Sequence, residues 1–189
     1  MARPSVADER REQIIEATLR TISEHGISKT TLDRIADTAG MSRGHVRHFV
    51  GNRDRLLLDA ARAFYADENG EPAILPAAVD DLDGALDFLF GGEFAASTSE
   101  NTIVLAFVEL ARTTPEIADV LAASYASTRE RLAAYIARAK PRATAAAREA
   151  AAQGVLSTAL GNVFIGDFDR DEGRTARARA AVDALLAAL

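Results

Sequence analysis

The chain has 189 residues, 48% hydrophobic and 26% charged, with a formal net charge of −6 and no cysteine. That composition is globular, and it excludes a disordered chain, a disulfide scaffold, thiolate metal sites and cysteine nucleophiles. The longest apolar runs, such as TIVLAFV at 102–108, are too short to span a bilayer, and no signal-like start follows Met1. A cytoplasmic protein with no membrane partner is expected. Abundant alanine and scarce β-branched runs predict an all-α fold.

Charge is unevenly placed. Residues 1–65 carry 11 Lys/Arg, 9 Asp/Glu and all three histidines, a net of +2, whereas residues 66–189 carry 11 and 19, a net of −8. A basic end on an acidic body hints at a polyanionic partner.

The first predicted helix places Ile14, Ile15, Thr18, Leu19 and Ile22 at helical spacing and ends at His25-Gly26. A second starts at Thr30 or Thr31, with Asp33 complementing the helix dipole and Leu32, Ile35, Ala36 and Ala39 as its inward stripe. Gly40 permits a turn, and Ser42 caps a short third helix whose Val46, Phe49 and Val50 point inward. Gly51-Asn52 ends that helix, and a long fourth begins near Arg53.

The stretch from 38 to 53 contains three arginines, two histidines and no acid. On the third helix, everything outside the apolar stripe is Arg43, Gly44, His45, Arg47 and His48, with Ser42 at the N-terminal end. Two helices joined by a short Gly-containing turn, the second short and basic, form a helix-turn-helix arrangement. Its second helix fits the major groove and shows its N-terminal residues to base edges. The bland alternative is a solvated basic face. His45 and His48, three residues apart, have no third ligand nearby and are flanked by arginines, so no metal or other cofactor is expected. His25 sits at a helix C-terminus, where a cationic ring favours the dipole.

The segment IIEATLRTISEHGISKTTLDRIADTAGMSRGHVRHFVGNRDRLL, residues 14–57, resembles the DNA-binding domain of the tetracycline-repressor (TetR) family of bacterial transcription regulators. The matching marks are Gly26, Thr30-Thr31-Leu32, Ile35-Ala36, Ala39-Gly40-Met41-Ser42, Gly44, Phe49, Arg53-Asp54 and Leu56-Leu57. The resemblance implies that Thr30 and Thr31 cap the second helix and touch the DNA backbone. It places Ser42, Arg43, Gly44 and His45 at the start of the recognition helix, with Arg43 and His45 as base readers. His48 falls on a backbone-contact position, and Arg53 replaces a lysine that meets phosphate. The sequence departs from the family at Arg47, commonly tyrosine, and at Val50, commonly phenylalanine.

The expected organisation is a three-helix helix-turn-helix domain over 1–52 and a larger helical ligand-binding and dimerisation domain over 53–189. PAILPAAVDDLDG, 72–84, reads as the link after the fourth helix. Helices are predicted near 82–96, 101–113, 115–139, 143–166 and 173–188. Aromatic residues Phe64, Phe88, Phe107, Tyr125 and Phe164 are candidates to line a cavity, with Glu109 as a polar handle beside Arg112; the alternative is that they are ordinary core and an exposed pair. Ala147, Ala151, Gly154, Thr158 and Gly161 form a small-residue seam, and the last helix offers Val182, Leu185 and Leu189. Packed against their two-fold copies these make an intermolecular four-helix bundle, the interface the resemblance implies; the alternative is a hairpin within one chain.

The function read from this pattern is a homodimeric transcription regulator, a repressor. It binds a palindromic double-stranded DNA operator through the major groove and is released by a small apolar or amphipathic effector. The alternative is an all-helical enzyme, or a ligand-binding protein that does not bind DNA. Against an enzyme, the sequence has no Glu-x-x-His pair, no phosphate loop and no histidine beyond residue 48.

Overall fold

Ser5 and Asp8 open the first helix by satisfying each other's free groups. Ser5 Oγ accepts from the Asp8 N–H at 3.2 Å, and the Asp8 carboxylate accepts from the Ser5 N–H at 3.3 Å. The Ser5 hydroxyl, which donates to the Asp8 carboxylate at 2.6 Å, and then the Ser5 N–H hold the Asp8 carboxyl below the usual carboxylate range. From there a computed structural model, which describes residues 5–96 and 98–189, is helical almost throughout. Its helices are α1 (Val6–His25), α2 (Leu32–Ala39), α3 (Arg43–Val50), α4 (Arg53–Phe64), α5 (Leu82–Leu89), α6 (Gly92–Ala96), α7 (Thr98–Ala111), α8 (Pro115–Ala139), α9 (Ala145–Gly166) and α10 (Arg174–Ala187). Among the described residues the β structure is one isolated antiparallel bridge, Ala66 to Pro72. None of the described helices is long and apolar enough to cross a membrane.

By packing, the chain divides into two units: residues through Tyr65 with Thr102–Leu121, and Ala66–Asn101 with Ala122–Leu189. In the first, α1 packs on α2, α3 and α4. Ile14, Ala17, Ile35, Ala36, Ala39, Val46, Val50 and Leu56 make one apolar core. Thr18 and Thr21 enter it at little cost, because their hydroxyls donate to the Ile14 and Ala17 carbonyls at 2.8 and 2.7 Å. The rings of Phe64, Tyr65 and Phe107 gather with centroids 5.1–6.1 Å apart.

The second unit is centred on Leu75, Leu82, Leu86, Leu89, Leu132, Ile136, Val155, Leu156, Val182 and Leu186. The helix expected over 82–96 is broken into α5 and α6 at Phe90-Gly91. The backbone turns so tightly there that a Cβ on Gly91 would lie 2.5 Å from the Asp87 carbonyl oxygen. The stretch 66–81 has no helix to absorb its carbonyls, and α8 side chains do so instead. Arg131 donates Nη1 to the Leu75 carbonyl at 2.8 Å, and Nη2 to those of Pro76 and Val79 at 2.8 and 2.9 Å. Tyr135 donates its hydroxyl to the Val79 carbonyl at 2.6 Å. A guanidinium fork serves three acceptors where an ammonium on a flexible stem cannot hold all of them in place.

Arg131→Ala is therefore expected to destabilise the protein by about 1–3 kcal/mol, because it strips partners from part-buried carbonyls. Arg131→Lys should recover less than half of that loss. Thermal melting monitored by circular dichroism checks both; full recovery by lysine would mean the fork geometry is unimportant.

Candidate nucleic-acid interface

Gly26 closes α1, and a 3₁₀ turn over Ile27–Lys29 leads to Thr31, whose hydroxyl oxygen accepts from the Arg34 N–H at 3.3 Å and caps α2. Gly40 ends α2 in the left-handed region, with φ 64°, where a side chain is strained. Met41 then returns its N–H to the Ala36 carbonyl at 2.9 Å. Ser42 caps α3 by accepting from the His45 N–H at 3.2 Å. Two short helices are thus joined by a three-residue turn.

Val46 and Val50, four residues apart, lie in the core and fix the rotation of α3 about its axis. Ser42, Arg43, Gly44, His45, Arg47 and His48 all stand exposed on the opposite side. Phe49 is half-buried, and the imidazoles of His45 and His48 lean on its ring at centroid separations of 6.3 and 5.2 Å. Gly44 has no internal reason to lack a side chain: a Cβ there would come no nearer than 3.9 Å to any neighbour, the Ser42 Oγ. Bare backbone at an exposed helical position suits close approach by something outside the chain.

Two expected contact residues are employed elsewhere. Thr30 is fully buried and donates its hydroxyl to the Gly26 carbonyl at 2.9 Å, so it belongs to the core and cannot touch a DNA backbone; Thr31 alone of the pair is exposed. Arg53 is half-buried and donates Nε to the Thr30 carbonyl at 2.6 Å and Nη2 to that of Ile27 at 2.9 Å. The carbonyls of the 3₁₀ turn have no continuing helix to bond to, and they capture this side chain. It buckles the start of α4 to the entry of α2. A further contact lies outside the acid-free stretch: Asp33, in the first turn of α2, meets Arg43 Nη1 at 3.1 Å. Both side chains are exposed, so the pair contributes about 0–1 kcal/mol, and a stronger acceptor can displace the carboxylate. A carboxylate ten residues upstream gave no local signal of this pairing.

The residues expected to hold an effector are distributed over the two units. Phe64 and Phe107 lie in the first unit, and Phe88, Tyr125 and Phe164 in the second. Phe88 and Tyr125 pack on the second unit's core, and Phe107 is fully buried. Glu109 is exposed, on the solvent side of α7, which removes it as a handle inside an enclosed cavity of its unit. Of the expected dimer seam, Ala151 and Val182 are buried in the second unit's own core. Gly154 faces Leu185 within the chain, where a Cβ would sit 2.7 Å from its Cδ2, and Leu189 packs on the same core. Ala147, Thr158 and Gly161 are partly buried. Ile165, Phe168 and Leu185 stand exposed near them in sequence, Phe168 at 78%.

Comparisons with known proteins fall on both parts of the chain. Residues 14–60 match the model described as "Bacterial regulatory proteins, tetR family", and residues 78–189 match "BetI-type transcriptional repressor, C-terminal". Curated relatives include an HTH-type transcriptional regulator, BetI 1, of Chromohalobacter salexigens, 47% identical over 53 residues, which are 28% of this chain and 26% of the relative. Another is the BetI regulator of Burkholderia thailandensis, 52% identical over 48 residues and 25% of each chain. The chain thus matches about a quarter of the length of these relatives. Among solved structures, a putative transcriptional regulator from Saccharomonospora viridis in complex with choline has a TM-score of 0.74 at 16% identity, over 95% of this chain and 96% of that one. A transcriptional regulator from Rhodococcus sp. Rha1 has a TM-score of 0.71 at 18% identity, over 94% of each. At such identities these likenesses show a shared fold.

Gly44 offers a test of the interface in which stability and function move in opposite directions. Gly44→Ala should stabilise α3 by about 0.5–1 kcal/mol, because glycine in a helix interior is unfavourable and the methyl group has room. The same methyl should weaken binding to the best DNA site. Calorimetric melting and fluorescence anisotropy check the two halves; unchanged DNA affinity would mean this surface is not approached closely.

Proposed function

We propose, given that the chain belongs to the TetR family of bacterial regulatory proteins, that it acts in the cytoplasm as a homodimeric repressor on a palindromic operator. One observation carries this reading: the exposed, acid-free face of α3, Ser42 to His48, set over buried Val46 and Val50. Arg43, at the N-terminal end of α3, is in the position that meets base edges, where a guanidinium pairs bidentately with guanine. His45 lies beside it. Thr31, Arg47 and His48 are placed for phosphates, and Arg53 acts by holding α4 to the entry of α2. The Asp33 carboxylate occupies Arg43 until guanine replaces it.

The dimer is held by α9 and α10. The exposed Ile165, Phe168 and Leu185 and the partly buried Gly161 support this face as the one that a second copy covers. A small apolar or amphipathic effector, bound in the C-terminal domain, shifts the spacing or freedom of the two recognition helices and releases the operator. The choline held by one structural neighbour supports the presence of a small-molecule site in this fold.

Selection of bound fragments from genomic DNA should return an inverted repeat, with half-site centres about 10–10.5 bp or a multiple apart. Sequences without dyad symmetry would overturn the dimeric reading. Gly161→Asp isolates the interface, since a Cβ there meets nothing within 4 Å inside one chain. Sedimentation should show the wild type as a dimer and this variant as a folded 20.1 kDa monomer with weakened operator binding. A dimeric variant would place the interface elsewhere.

A further inference from the structure

A cleft of about 430 Å³ opens in the second unit where α5 ends, α7 begins and the 167–173 connection joins α9 to α10. It is within the size range of small-ligand sites; Phe90 lines it, and none of the aromatics considered for the effector does. Four carboxylates border it, Asp167, Asp169, Asp171 and Glu172, against two guanidinium groups, Arg170 and Arg174.

Those groups are not equally committed. Asp171 is paired with Arg177, whose guanidinium holds its carboxyl below the usual carboxylate range. Arg174 is spent on the framework: it donates Nε to Asn162 Oδ1 at 3.1 Å and Nη1 to the Asp169 carbonyl. Asp167 accepts from Asn101 Nδ2 but has no lysine or arginine partner among the described residues. Asn101 is the second, independent sign. It lines the cleft, is only 2% exposed, and its Oδ1 has no hydrogen-bond donor. A buried amide oxygen without a donor costs about 1–3 kcal/mol, a deficit that a bound donor removes. The amide is anchored in this orientation, since its N–H is taken by a carboxylate.

We propose that this cleft binds a small organic cation bearing N–H donors, an alkylammonium or alkyldiammonium, through Asn101 Oδ1 and the Asp167 carboxylate, with the Phe90 ring at its wall. The N–H answers the unpaired oxygen, the charge answers Asp167, and an aromatic face tolerates a cation beside it. This site is distinct from the aromatic effector set and from the DNA-facing helix.

Isothermal titration of the full chain with 1,4-diaminobutane tests it, beside two partial mimics at equal ionic strength. Tetramethylammonium has charge without a donor, and 1,4-butanediol has donors without charge. The diammonium should bind, and both mimics should bind at least about tenfold more weakly. Asn101→Leu, which removes the unpaired oxygen at similar volume, and Asp167→Asn, which removes the charge but keeps an acceptor for Asn101 Nδ2, should each weaken it about tenfold. No heat at about millimolar diammonium, equal binding of either mimic, or an unchanged Asp167→Asn variant would overturn the proposal. Operator binding, measured separately without any cation, reports on the regulator reading whatever this titration shows.

Discussion

The interface rests on the burial of Val46 and Val50. Those two side chains, one turn apart, enter a core made by Ile14, Ile35, Ala36 and Leu56, and so fix which side of α3 faces out. Each residue advances the helix by about 100°, so sliding the inward pair by one position would turn Arg43 and His45 away from the exposed face. Close packing permits few alternative settings. The outward-facing side of a helix only eight residues long is therefore determined by its neighbours, since a helix of that length does not persist alone in water.

Two arginines complete the framework in the same manner. Arg53 closes the carbonyls left by the 3₁₀ turn, and Arg131 closes those of the helix-free stretch after residue 66. Each replaces missing secondary structure with a planar fork of donors. Arg43 differs because its partner Asp33 is equally exposed and the pair is weak. Strong contacts hold the scaffold, and a weak one holds the exposed Arg43. Gly44 also gives up helix stability at an exposed position of α3, where no neighbour within the chain requires a glycine.

Elements defined by local chemistry were legible in the sequence. Gly26, Thr31, Gly40, Ser42 and Asn52 mark helix ends through their own hydroxyls, amides or φ angles, and the apolar stripes of α1 to α3 repeat at helical spacing. The helix expected over 115–139 is α8. What escaped depends on distant partners. Arg53 meets carbonyls 23 and 26 residues away, so nothing near it distinguishes an inward guanidinium from a phosphate-binding one. The break at Gly91 comes from a tight turn against Asp87, and glycine alone does not announce that. In α9 and α10 alanine occurs on every side, which erases the contrast that marks a face; Ala151 and Val182, expected to face outward, lie inside. Asn101 carried no signal, because an unpaired acceptor is a property of the folded surroundings.

Arg43 and Arg47 share the outer side of α3 but are assigned different targets, and this division of labour is the most direct consequence of its orientation. The decisive measurement is the affinity of Arg43→Ala and Arg47→Ala for operator and for unrelated DNA across a salt series. Loss of Arg43 should cost about 1–3 kcal/mol on operator, relax preference at one base pair per half-site and spare unrelated DNA. Loss of Arg47 should weaken both DNAs alike and lower the salt slope by about one per protomer. If both variants bind operator like the wild type at low and high salt, α3 does not face DNA.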